Sequence, residues 1–155
     1  MNLAQYQQPK IIQAALNQRR IAVVGLSANQ LRASYFVGFY LQRHGYQVIP
    51  VNPRETEILG EKCYPSLTEI PAPPDVVNVF RDPAAVPEIA EQAVAAGAKY
   101  LWLQFGVISE AGAAIAEAGG VEVIMDRCIK VEHARYRGRM HWLGFNTEQI
   151  SAQRS

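Results

Sequence analysis

The fold is decided by the stretch Ile21–Pro53, IAVVGLSANQLRASYFVGFYLQRHGYQVIPVNP. It opens on an apolar run, Ile21-Ala22-Val23-Val24, that ends at Gly25, and closes on Gln47-Val48-Ile49-Pro50-Val51-Asn52. Between them Phe36, Val37, Tyr40 and Leu41 recur at i, i+1, i+4 and i+5, which is one face of a helix. Ser34 is expected to cap that helix, and Gly45, after His44, to stop it. Strand, helix and strand in this order form a βαβ unit with parallel strands.

The same alternation continues outward. Further apolar runs are Asp75-Val76-Val77-Asn78-Val79-Phe80, Tyr100-Leu101-Trp102-Leu103-Gln104 and Val121-Glu122-Val123-Ile124-Met125. They are apolar on both faces, as strands buried on both sides are. Helices are expected over Ala84 to Ala96, with Pro83 and Pro87 near the start and Gly97 at the end, and over Ser109 to Ala118, stopped by Gly119-Gly120. A leading helix (Gln8 to Asn17) and a trailing one (Ile129 to Arg137) flank the core. The proline-rich segment Pro53 to Pro74 reads as loop with a helical turn at Ser66 to Glu69, and residues 138–155 as a tail. The expected architecture is α/β: a doubly wound, Rossmann-like sheet of five parallel strands in the order 3-2-1-4-5, with right-handed crossovers and helices on both faces.

Composition narrows the class. The chain has 155 residues, enough for one domain with a sizeable core. Its net charge of +1, without a basic block, gives no footprint for nucleic acid. No apolar run approaches the ~20 residues that cross a bilayer. The first residues, Met1 to Gln5, lack the charged and apolar regions of a secretion signal. Two cysteines are too few for a disulfide framework. A soluble cytoplasmic protein is expected, with a homo-oligomer or protein partner left open.

A doubly wound sheet binds its ligand outside the carboxyl ends of its strands, where the order reverses. After strand one, Gly25 permits a tight turn. Ser27, Ala28, Asn29, Gln30, Arg32 and Ser34 then lead to a helix N-terminus, whose free N–H groups and about half a positive charge suit an anion. Pyrophosphate binding is favoured there over an ordinary turn, although Ser27 and Gln30 depart from the G-x-G-x-x-G fingerprint. After strand two, Asn52-Pro53-Arg54 replaces the acid that holds the ribose of NAD with a neutral residue and a cation. That suits a phosphorylated ribose, as in coenzyme A or NADP; taken alone, Arg54 is equally a surface arginine. After strand three, Phe80 either covers an adenine or pantetheine or plugs the sheet. Arg81 either meets ligand or pairs with Asp82, itself a good helix cap. After strand four, Gln104 can bond amides such as those of pantetheine beside Phe105, and Gly106 admits close approach or only makes the turn.

Cys128 follows strand five, near a helix N-terminus and between Arg127 and Lys130. Such a setting favours thiolate, though a small apolar core residue is the more usual role of a cysteine. Cys63 is assigned no role. His44, His133 and His141 lack metal-ligand spacing, and His133 and Glu132 are expected on the surface of the last helix. The basic run His133 to Arg139 reads as a solvated helix end. No Ser–His–Asp set, G-x-S-x-G, C-x-x-C or H-E-x-x-H occurs.

The segments Ile21 to Ser27, Arg32 to Tyr35, Gly45 to Pro53, Gly60 to Leu67, Asp75 to Arg81, Trp102 to Val107 and Met125 to His133 together resemble the small bacterial CoA-binding proteins. These are stand-alone counterparts of the CoA-binding domain in the succinyl-CoA synthetase α subunit. The resemblance covers residues 15 to 137. It implies a phosphate loop at Ser27 to Gln30, a CoA-contacting cation at Arg54 and a contact segment at Gln104, Phe105 and Gly106. The synthetase's phosphorylated histidine belongs to a second domain absent from this sequence. The expectation is a non-catalytic carrier, sensor or regulatory module for CoA or an acyl-CoA. An NADP-type oxidoreductase or other nucleotide-using enzyme is the alternative. Two further readings are a Cys128 thiol that forms a mixed disulfide with CoA, and an interaction protein with a vestigial pocket.

Overall fold

The structure is a computed structural model that describes residues 1–137; the expected tail and His141 lie outside the described residues. Alternation along strand β1 (Arg20–Val24) places Ile21 and Val23 on one face of a sheet and Ala22 and Val24 on the other. Both faces are buried. Ile21 and Val23 pack with Ile12 and Leu16 of helix α1 (Pro9–Leu16), Val37 and Leu41 of α2 (Ala33–Arg43), and Ile129 of α5 (129–137). Ala22 and Val24 pack with Ile89, Ala90 and Ala93 of α3 (Val86–Ala95) and Ala113 and Ala116 of α4 (Glu110–Ala118).

The other sheet strands are β2 (Gln47–Val51), β5 (Val76–Val79), β6 (Tyr100–Leu103) and β7 (Glu122–Ile124). All pairs are parallel, and the order is β2-β1-β5-β6-β7. The expected doubly wound α/β class holds. The expected order does not: the third sheet strand lies beside the first, giving 2-1-3-4-5 instead of 3-2-1-4-5. Pro50 is the physical reason. Its carbonyl accepts from Tyr64 N at 3.0 Å on the outer side of β2. A residue's N and C=O point the same way in a strand, so the missing N–H of Pro50 also faces outward, and β2 is confined to the edge. Tyr64 covers that edge, its carbonyl accepting from Asn52 N at 2.9 Å.

The segment expected to be mostly loop also contains a small hairpin, β3 (Glu57–Ile58) and β4 (Glu61–Lys62). Its turn has positive φ at both Leu59 and Gly60, the geometry of a two-residue hairpin loop. Leu59 is held there by packing against the α2 cluster and by Gln42 Nε2, which donates to its carbonyl at 3.0 Å. The helical turn appears at Leu67–Glu69, close to its expected position. No helix among the described residues is long and apolar enough to cross a membrane.

The last helix corrects a further expectation. Ile129, Glu132, His133 and Tyr136 recur at i, i+3, i+4 and i+7, and this stripe turns inward. Glu132 and His133 are therefore buried, not on the surface. His133 Nδ1 meets the Tyr40 hydroxyl at 2.8 Å. Burial, then the nearby His44 and Arg137, lower its pKa from 6.5 to about 4. The unfolded chain thus binds the extra proton throughout that window. Stability is expected to be complete above pH 6.5 and to fall by roughly 3 kcal/mol as pH drops toward 4. His133→Gln should flatten this part of the unfolding profile; an unchanged slope would show that His133 does not set it.

Candidate functional site

The chain leaves β1 toward β2 across one face of the sheet and leaves β5 toward β6 across the other. The crevice of the fold therefore opens at the carboxyl ends of β1 and β5. Gly25 begins it, with φ +90° and its N–H donating to Val51 O at 2.9 Å. The following loop is held from within. Ser27 N donates to Ser34 Oγ at 3.0 Å, Asn29 N to Ser27 Oγ at 3.0 Å, and Leu31 N to Asn29 Oδ1 at 2.9 Å.

Ser34 is not the helix cap. The capping position is Arg32, whose side chain makes no capping bond; Ser34 lies inside the helix and is buried because its hydroxyl reaches back to Ser27. The start of α2 therefore lacks a side-chain acceptor, while Ala28, Asn29, Gln30 and Arg32 around it are exposed. Uncapped helix amides beside a cation form an arrangement that accepts an anion.

Asn52 joins two loops. Its Nδ2 donates to Leu26 O at 3.0 Å, and its Oδ1 accepts from Arg54 N at 2.8 Å. A carboxylate could not make the first of these bonds. The amide is thus required by the architecture, and Pro53 and Arg54 are left exposed at the rim.

At β5 the chain turns against Gly25. Phe80 N donates to Val24 O at 2.8 Å, and a Cβ placed on Gly25 would lie 2.8 Å from Phe80 O and 3.2 Å from Arg81 Cδ. Phe80 is half-buried, and Arg81 is exposed beside the first loop. Asp82 caps the next turn, its Oδ1 accepting from Ala84 N at 2.9 Å; it forms no ion pair with Arg81.

The end of β6 is tied to the turn after β7. Trp102 Nε1 donates to Arg127 O at 2.8 Å, Gly106 N to Asp126 Oδ1 at 2.8 Å, and Ile129 N to Gln104 Oε1 at 2.9 Å. Phe105 projects outward at 77% exposure. Cys128 takes the capping position of α5, its carbonyl accepting from Glu132 N at 3.0 Å. Cys63, in contrast, is buried with its thiol directed at Asn52 O, and burial raises its pKa.

Two features of this region escaped the sequence reading. Asn78, in the middle of β5, is fully buried with neither amide atom partnered among the described residues, and Gln104 is buried with Nε2 unpartnered among them. Asn78 could have been singled out as the one polar residue in Val76-Val77-Asn78-Val79. Asp126 takes a left-handed backbone, φ 61°, which an aspartate tolerates better than most residues. No group of three or more His, Cys, Asp or Glu that could hold a metal ion occurs among the described residues.

A parallel doubly wound sheet with helices on both faces and a clamped loop at its switch point defines a Rossmann-like α/β class of fold. Within that class, residues 19–134 match the family described as CoA binding domain, and the chain belongs to that family. It is 46% identical over 116 residues to Uncharacterized protein YneT of Bacillus subtilis (strain 168), covering 75% of this chain and 86% of that protein. It is also 30% identical over 96 residues to Acetate--CoA ligase [ADP-forming] II of Archaeoglobus fulgidus, covering 61% of this chain but only 14% of the ligase. Among solved structures, a hypothetical protein from Pyrococcus horikoshii OT3 superposes with a TM-score of 0.82 at 35% identity, covering 87% of this chain and 96% of that one.

Proposed function

We propose that the chain binds coenzyme A or an acyl-CoA in the crevice between β1 and β5, acting as a non-catalytic carrier, sensor or regulatory module. The observation that carries this reading is the loop from Gly25 to Ser34, folded so that the start of α2 has no side-chain cap, in a chain of the CoA-binding family. In this reading the amides near Ser27 to Gln30 and the first turn of α2 receive the diphosphate, with Arg32 alongside. Arg54 receives the ribose phosphate. Phe80 and Arg81 border the nucleotide, and Gln104, Phe105 and Gly106 meet the pantetheine arm.

Thermal unfolding tests it. CoA at about 100 times its Kd should stabilise by roughly 2.7 kcal/mol, a rise of about 5–10 °C in Tm for a domain of this size. A charge-assisted phosphate contact is worth about 1.5–3 kcal/mol, so Arg54→Ala should weaken CoA binding roughly 10- to 100-fold. Binding of dephospho-CoA, which lacks that phosphate, should change little. A shift with NADP and none with CoA would replace this reading with the oxidoreductase alternative. Equal loss for CoA and dephospho-CoA would remove Arg54 from the ribose phosphate.

A further inference from the structure

We propose that Cys128 is a thiol–disulfide exchange site for the sulfur end of CoA, a reading that rests on CoA occupying the crevice. The geometry begins with a displaced turn. Strand β7 is at the edge of the sheet, yet the residues after it are drawn back over the end of β6. Four hydrogen bonds hold them there: Trp102 Nε1 to Arg127 O, Arg127 N to Leu103 O, Gly106 N to Asp126 Oδ1 and Ile129 N to Gln104 Oε1. Cys128 is thereby fixed beside Gln104, Phe105 and Gly106, the segment assigned above to the pantetheine arm. It packs against the same apolar cluster as Phe80 and remains partly open to solvent.

A second observation points to a ligand at this spot. The side chain of Gln104 is 3% exposed, and its Oε1 is pinned to the first helical amide after Cys128. The other end of that rigid amide, Nε2, has no partner among the described residues. A buried N–H donor without an acceptor is costly. It lies beside the Cys128–Ile129 peptide and is itself closed to solvent, so an arriving sulfur or thioester oxygen reaches it by displacing the side chains that cover it. Cys63 has none of this; it is buried and already bonded to Asn52 O.

The step is an exchange with CoA disulfide. The sulfur of Cys128, as thiolate, attacks one sulfur of the CoA disulfide, and a bond forms between the protein and one CoA. The CoA–CoA sulfur bond breaks, and the second CoA leaves as a thiolate that takes up a proton. Cys128 is oxidised and one CoA equivalent is reduced, so the disulfide itself is the oxidant. Cys128 stands at the amide end of α5, which favours the thiolate before attack, and the attack moves that charge onto the departing CoA sulfur.

Intact-mass analysis of the full chain after incubation with CoA disulfide tests the proposal, alongside CoA-dependent melting of the same samples. One CoA per chain is expected on wild type and on Cys63→Ser, removable by dithiothreitol and absent from Cys128→Ser. Exchange with CoA disulfide should be about tenfold or more faster than with glutathione disulfide, because the crevice holds the reacting sulfurs together. Equal rates would mean an untemplated thiol and would overturn the site. A melting response to CoA without an adduct would sink the exchange role while leaving the CoA reading intact. Absence of both would remove the two together.

Discussion

Gly25→Ala is expected to lose about 3 kcal/mol or more of unfolding free energy, and its CoA response with it, because two separate penalties meet at this residue. The backbone has φ +90°, a region that costs a residue with a Cβ roughly 1–2 kcal/mol. The new Cβ would also lie 2.8 Å from the carbonyl oxygen of Phe80. That neighbour is backbone, so relief requires β1 and β5 to separate at their carboxyl ends, a strain of about 1–3 kcal/mol. Gly45→Ala separates the two effects. Gly45 has φ +91° but nothing within 4 Å of its Cβ position, so it should show the conformational part alone. Urea unfolding of wild type and both variants gives the comparison. Equal losses at the two positions would mean that the contact with Phe80 contributes nothing. The functional consequence follows from the same geometry: the mouth that separates is the one from which Ser27 to Gln30 depart.

Periodicity carried the architecture because it depends only on which residues must be buried. Runs apolar on both faces mark strands covered on both sides, and the helical spacing between them requires crossovers. The order of the strands needed one more physical fact, already present at Pro50. A proline within a strand cannot donate to a neighbour, so β2 had to lie at the edge, and a third strand beside it was excluded. Ser34 misled for a related reason. Serine favours the cap, but the loop between Gly25 and Arg32 is long enough to place that hydroxyl at the second residue of the helix, bonded to Ser27 N. The small hairpin was hidden because Leu59 is not a residue that announces a left-handed turn; its packing against α2 holds it there. At the site, residue type alone located the loops but not their bonds. Asn52 was read as the loss of an acid, whereas its amide is engaged on both sides by Leu26 and Arg54. The unpartnered amide of Asn78 and the unpartnered Nε2 of Gln104, among the described residues, depend on strand register and on where α5 docks, and neither follows from local spacing.

Trp102 carries the second large effect, since it links core stability to the placement of Cys128. It is fully buried in β6, opposite Asn78 on one side and Ile124 on the other. Trp102→Ala should cost about 3–5 kcal/mol, from the lost burial and the cavity left behind. Its indole N–H also holds the carbonyl of Arg127, the residue before the cysteine. Trp102→Phe isolates that bond: it keeps most of the apolar volume, leaves Arg127 O without its donor, and should cost about 1–3 kcal/mol. The turn would then be tethered through Leu103, Gln104 and Gly106. The loop after β1, proposed above to receive the diphosphate, lies two strands away, so CoA affinity should change little in Trp102→Phe while exchange at Cys128 slows. Guanidinium unfolding, CoA titration and adduct formation on the same variant separate these effects. Wild-type exchange in a destabilised Trp102→Phe would show that the tether supports the fold but does not position the thiol.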